Sequence, residues 1–304
     1  MSTPGYLAAT TAAAGFVRTD LEWWTFRGRD PARMLAGVVT GRMPALPTPV
    51  DDRIALGEAT LQTILTPKGR MVGSMRLATE PGHEDQPDWM WAVVPTAASE
   101  GLQAHLARYL PPRFAKLDVA DRIEIFSLVG PEVDELIARV VLDGAVEVDA
   151  LAALPAGGTV VVPPAALRLV RGGELATPSW HLIGEPGVMS VLREKFSDAG
   201  VVPATLDDWR VLRVEQGTPA YGEDMDDSTI PPEAGLEDEA IDHAKGCYTG
   251  QEVIVRIRDR GHVNRKLLRI ELGEVDPPPA GTEVFVAGRE KPAAEVRSAV
   301  RSPR

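Results

Sequence analysis

The segment KGCYTGQE, residues 245 to 252, brings a lysine, the chain's only cysteine and two glycines into eight positions. A thiol attacks or ligates as the thiolate, and its free pKa of about 8.5 falls beside a cation or at a helix N-terminus. Lys245 supplies a cation two residues from Cys247, and Gly246 and Gly250 allow the backbone to approach a ligand closely. Nucleophile, ligand and redox handle are all open to such a cysteine. So is the plainer reading of a small residue in a tight glycine turn. No His–Asn arrangement nearby recommends a protease-type site.

A second candidate is WRVLRVEQGTPAYGED, residues 209 to 224. Read as a strand, it points Val211, Arg213 and Glu215 one way and Leu212 and Val214 the other. An Arg and a Glu projecting together into a cleft suit a polar heterocycle, because a carboxylate accepts two parallel N–H bonds from an amino-pyrimidine edge. The competing reading is a surface ion pair worth under about 1 kcal/mol. LTPKGR (65 to 70) reads as a turn between two strands, set by Pro67 and Gly69, and lacks the spacing of a phosphate-binding loop. GRDPARMLAGVVTG (28 to 41) reads as a turn and a helix capped by Asp30 with Pro31 in its first position. No His/Asp/Glu metal spacing and no dinucleotide fingerprint is found.

These motifs need elements to hold them. Helical spacing of apolar residues predicts helices in 98–112, 131–141 and 187–200. Strand-like runs lie at 122–130, 158–164, 209–217 and 252–261. Interleaved helices and strands predict an α/β or α+β fold with helices packed on sheets.

A chain of 304 residues suggests two or three lobes. Its net charge of −12 argues against general nucleic-acid binding, which needs a basic footprint. A single cysteine excludes an internal disulfide and a multi-cysteine metal site, and fits a cytoplasmic protein. The N-terminus lacks the basic and apolar regions of a signal peptide, and no apolar run approaches the roughly 20 residues of a membrane span. Residues 222 to 242 hold nine acids and no Lys or Arg, whereas 245 to 269 hold seven basic residues against two acids. That reversal is either solvated loop charge or a cationic groove for an anion. From about residue 262 short strands and turns suggest a small, incomplete β domain.

In this order, GRDPARMLAGVVTG, LTPKGR, VLRVEQGTPAYGED, PPEAGL and KGCYTGQEV resemble the folate-binding YgfZ/T-protein (GcvT-like) family, which includes the glycine-cleavage aminomethyltransferase. KGCYTGQE is the signature of the YgfZ branch, whose members support iron–sulfur enzymes. The resemblance implies an α+β, multi-domain ring of ferredoxin-like lobes around tetrahydrofolate, closed by a C-terminal β barrel. The expected layout is a folate-binding module over 1–258, with an inserted lobe at about 52–150, and a partial barrel over 259–304. Cys247 and Lys245 are the implied chemical residues, and no metal ligand is expected. Glu215 and Arg213 would hold the pterin edge, Tyr221 would line the hole, and Tyr248, Gln251 and Glu252 would shape the site. Arg256, Arg258 and Arg260 would face the glutamate tail of folate or an acidic partner. Expected partners are the folate and iron–sulfur client or assembly proteins, with the chain itself a monomer. A folate-dependent one-carbon transferase and a non-catalytic interaction module are the alternatives. Transfer of an aminomethyl group is disfavoured, because WAVVPTAASEGLQAHL places Pro95 where the transferase branch has Asn and Leu102 where it has its catalytic Asp.

Overall fold

The computed structural model describes residues 2–82, 87–163 and 166–304. Pro164, the last residue of the strand expected over 158–164, lies outside them. The main sheet has 12 strands, and they fall into two halves joined by one long strand.

In order, the first half contains β12 (Val202–Ala204), β1 (Ala14–Val17), β8 (Glu124–Val129), β11 (Ser179–Gly184), β10 (Leu167–Arg171) and β9 (Gly158–Val162). The second contains β5 (Met71–Glu80), β6 (Trp89–Pro95), β2 (Leu21–Arg27) and β7 (Lys116–Val119). Between them runs β4 (Ala55–Leu65), which pairs with β9 over residues 55–58 and with β5 from Ala59 onward. The short β3 (Thr48–Pro49) adds to its start. Every pairing is antiparallel except β1 with β12.

Strand alternation explains how both faces of each half are used. In β11, Trp180 and Leu182 enter one core while His181 and Ile183 face the other half. That first core is covered by α4 (Val133–Leu136), its continuation as a π-helical turn over Ile137–Val141, α5 (Val148–Ala152) and α6 (Pro186–Asp198). In β2, Trp24 and Phe26 enter a second core under α2 (Pro31–Ala36) and α3 (Thr96–Tyr109), while Trp23 turns the opposite way. The two inward faces meet through Trp23, Trp91, Ile125, Val170 and Ile183, with Trp23 and Trp91 stacked at 4.7 Å. A further cluster joins α1 (Pro4–Thr11) and α7 (Leu206–Gln216) to β1. The last packs α8 (Glu237–Ala240) and α9 (Gln251–Arg260) against the far ends of β4 and β5.

The strand readings at 122–130 and 158–163 correspond to β8 and β9, and the helix readings at 98–112, 131–141 and 187–200 correspond to helices. Asp30 caps α2 by accepting from the Arg33 amide, and Pro31 is its first residue.

Two strand readings are overturned. Residues 209–217 belong to helix α7, which starts three residues upstream in a capping box between Thr205 and Asp208 and ends at Gly217 with φ 81°. Residues 252–261 fall on helix α9, where Val253, Ile254 and Ile257 share a stripe although the β-branched run also alternates. The expected partial C-terminal barrel is not confirmed. After α9 the described residues form only β13 (Glu283–Val284) paired with β14 (Ala294–Glu295), and no closed barrel. Two strands of two residues cannot bury an apolar face, so Leu268, Ile270 and Leu272 remain 73%, 59% and 50% exposed. Among the described residues, no helix is long and apolar enough to cross a membrane.

Candidate functional site

Three motifs far apart in sequence cross at one place. The turn Thr66–Gly69 between β4 and β5 lies against the glycine turn that leads into α9. A Cβ on Gly250 would stand 2.6 Å from the Thr66 carbonyl, and one on Gly69 would stand 2.7 Å from Val253. Both glycines also have positive φ, 83° and 74°. A side chain is therefore excluded twice over, by space and by backbone conformation. The segment after α2 closes the third side. Gly37 O accepts from the Thr249 amide, Thr40 O from the Asp242 amide, and the Thr40 hydroxyl donates to Ala240 O.

This crossing fixes Lys245. Its Nζ donates to Val39 O at 2.8 Å and Gly41 O at 2.9 Å, and lies 5.7 Å from the centre of the Tyr248 ring. Burial pushes its pKa down to about 8, against the opposing attraction of Asp242. Tyr248 is 7% exposed, and burial pushes its phenol up to about 12. Cys247, between these two anchored residues, is exposed. Gln251 is half-buried and Glu252 exposed in the first turn of α9. The turn therefore presents a thiol outward from a rigid backbone, beside an amine that burial brings close to neutrality at mildly alkaline pH.

Arg213 and Glu215 behave differently from the strand reading. On a helix, residues two apart do not share a face. Arg213 is buried, donating to Thr218 O at 2.6 Å and pairing with Asp224 and Glu223. It pins the loop after α7. Glu215 turns to the N-terminal helix, where both its carboxylate oxygens accept from the Tyr6 hydroxyl at 2.8 Å. Ser302 also donates to it, and Arg304 lies 3.8 Å away. Tyr221 donates to Val72 O at 2.8 Å and so ties this loop to β5. Arg213, Glu215 and Tyr221 thus occupy three separate contacts.

A polar site that the sequence reading missed lies where the two sheet halves face each other. Ser127 and His181 are register partners on β8 and β11, and Ser127 Oγ is 2.7 Å from His181 Nδ1. His181 Nε2 is 3.3 Å from Glu174 in the β10–β11 connection. Arg76, which shares with Ala78 the face of β5 turned toward the first half, reaches Glu174 at 3.5 Å and Glu239 of α8 at 2.9 Å. Arg18 donates to Ser127 and to both Asp20 oxygens, with its guanidinium 3.8 Å from the centre of the Trp209 ring. Burial alone would raise the Glu174 pKa. Attraction to His181 and Arg76, with hydrogen bonds from His181 and its own backbone, outweighs burial and holds it well below the ordinary 4.5. An ionised Glu174 accepts from Nε2–H, so in the neutral ring Nδ1 accepts from the Ser127 hydroxyl.

Serine, histidine and glutamate here form a connected line, but Ser127 has no exposed surface and cannot meet a substrate. Glu174 can, since 28% of its side chain remains accessible. Close by, Ser179 Oγ is buried with no hydrogen-bond partner among the described residues. Ser179 Oγ and Glu174 Oε2 lie 2.1 and 3.0 Å from the point where a Cβ on Gly172 would sit. The signal in the sequence was an Arg and a His at strand positions where alternation calls for apolar residues, in MRLAT and SWHLIG.

Residues 8–242 match the GCVT N-terminal domain. An aminomethyltransferase from Synechocystis sp. is 26% identical over 223 residues, 73% of this chain and 58% of that protein. One from Rubrobacter xylanophilus is 28% identical over 273 residues, 87% of this chain and 66% of the relative. The crystal structure of the glycine cleavage system aminomethyltransferase T from Bartonella henselae superposes with a TM-score of 0.68 at 15% identity, covering 84% of this chain and 66% of that one. The chain thus spans about three fifths to two thirds of the length of these relatives. With 235 of its 304 residues inside the match, the chain belongs to the GCVT N-terminal domain family.

Proposed function

We propose that this chain binds a reduced folate and acts as a YgfZ-type factor supporting iron–sulfur enzymes, through its exposed thiol rather than by transferring an aminomethyl group. The observation that carries the reading is the geometry of KGCYTGQE. Lys245 is fixed by two carbonyls and Tyr248 is buried, while Cys247 between them faces outward. A purely structural cysteine in a packed turn would be expected inside.

The pterin end of the ligand fits the polar seam better than it fits Arg213 and Glu215. Glu174 is ionised and still accessible, which suits acceptance of two N–H bonds from an amino-pyrimidine edge. Glu215 accepts from Tyr6 and Ser302, and only 12% of its side chain is accessible. When bound, the folate would supply a ring nitrogen able to carry a one-carbon unit.

Aminomethyl transfer is the second reading, favoured by the names of the relatives. Against it stands Leu102, which has no exposed surface and packs in the core under α3. A leucine there can neither hold a cationic amine nor relay a proton.

Isothermal titration with tetrahydrofolate under reducing conditions is the first test. Binding that weakens about tenfold or more in Glu174→Gln is expected, and no binding up to about 1 mM would sink the proposal. Cys247→Ala should retain that binding yet fail to restore iron–sulfur enzyme activity in cells lacking the protein. Full restoration by Cys247→Ala would refute the thiol's role, and turnover of an aminomethyl donor would favour the second reading.

A further inference from the structure

The outer side of α9 carries an open cavity of about 360 Å³ that the preceding function does not use. Val253 and Ile257 form one wall, one turn apart, with Ile230 and Val263 completing an apolar floor. Arg256 and Arg260, also one turn apart, line the same cavity, and His262 and Asn264 add polar groups to its lining. The single lining carboxylate, Glu233, is engaged by Arg265 and by the Ile230 amide. Arg258 is similarly engaged by Asp259. Arg256 and Arg260 are the cavity's remaining strong charges, and among the described residues neither has a carboxylate within ion-pair distance.

Two guanidiniums without an ion-pair partner among the described residues, in a lining shared with Ile230, Val253, Ile257 and Val263, define the chemistry of a ligand. On a chain of net charge −12, anions are repelled in general, so a local charge of this sign is selective. Arginine forks match phosphate oxygens in bidentate fashion, and two of them balance a dianion. The floor requires an apolar body next to that head. We infer that this cavity binds a phosphate monoester of a small apolar or aromatic group. The inference gives Arg256 and Arg260, which the sequence reading offered to the glutamate tail of folate, a different anion, and it does not depend on Glu174 or Cys247.

Phenyl phosphate is a direct probe, titrated calorimetrically into the intact chain at pH 7.5 and low salt. One site is expected, weakened about tenfold or more in the double variant Arg256→Gln/Arg260→Gln, and weakened by added salt. Both arginines are exposed, so circular dichroism of the variant should match the parent. Inorganic phosphate, which lacks the body, and benzyl alcohol, which lacks the charge, should each bind about tenfold more weakly or worse. The inference is overturned if the double variant binds phenyl phosphate as tightly as the parent. It is overturned equally if inorganic phosphate binds as well as phenyl phosphate, or if no binding is seen up to about 10 mM.

Discussion

The crossing around Lys245 and the seam around Glu174 both bury charge, but they satisfy it in opposite ways. At the crossing a single cation is held by backbone carbonyls, with no carboxylate in contact among the described residues. Burial therefore dominates, and the lysine is pushed toward its neutral form. In the seam, Glu174 has His181 and Arg76 on it, and the charged form prevails despite burial. A buried charge with carbonyl partners alone is poised to lose its proton, whereas one inside a network of opposite charges is locked. The first arrangement suits reactivity, and the second suits binding and the joining of the two sheet halves.

The sharpest way to break this contrast is to remove one cation from each region. Arg76→Met leaves Glu174 and Glu239 without their shared partner, and a loss of about 1–3 kcal/mol is expected from urea unfolding, because Glu239 is half exposed and Glu174 keeps His181. Lys245→Met at pH 7 leaves no carboxylate uncompensated, so its loss should stay within about 1 kcal/mol. Equal losses would show that the two regions are not different in kind.

Gly250→Ala tests the crossing through its backbone. The added Cβ meets the Thr66 carbonyl at a residue whose φ is 83°. A cost of about 1–3 kcal/mol is expected, read as a lowered urea midpoint. A neutral outcome would mean that the turn can relax and does not fix Cys247.

The smallest effect is in pH dependence. Folded Lys245 releases its proton at about 8, whereas in the unfolded chain the ordinary value of 10.5 applies. Between these values the unfolded state holds more protons, so the stability linked to this group rises with pH and is lowest below 8. Relative to Lys245→Met, the parent should gain about 1 kcal/mol between pH 8 and 10, a figure discounted for the lysine's partial solvent access. A flat difference across that range would place the amine in a wetter site.

Much of the fold was legible before any coordinates. Asp30-Pro31 marks a helix start because both residues act locally, through a side-chain cap and a fixed φ. LTPKGR marks a turn for similar reasons. Helix α7 was misread because VLRV satisfies both periods, and its deciding signal, the Thr205–Asp208 capping box, lies upstream of the quoted motif. Helix α9 was misread because its β-branched run also alternates. The pairing of Arg213 with Glu215 failed with the strand that supported it.

The sequence by itself determined the local grammar. It set the capped start of α2, the turn at LTPKGR, that one cysteine lies between a lysine and a tyrosine, and that charge reverses near residue 245. Only the tertiary structure decided which of these meet. The 28–41, 65–70 and 245–252 segments converge because β4 and β5 carry their turn to the place where α2 ends and α9 begins. Ser127 and His181 meet because antiparallel register sets β8 against β11. Such contacts join residues separated by tens to hundreds of positions, and no local propensity encodes the strand order that brings them together.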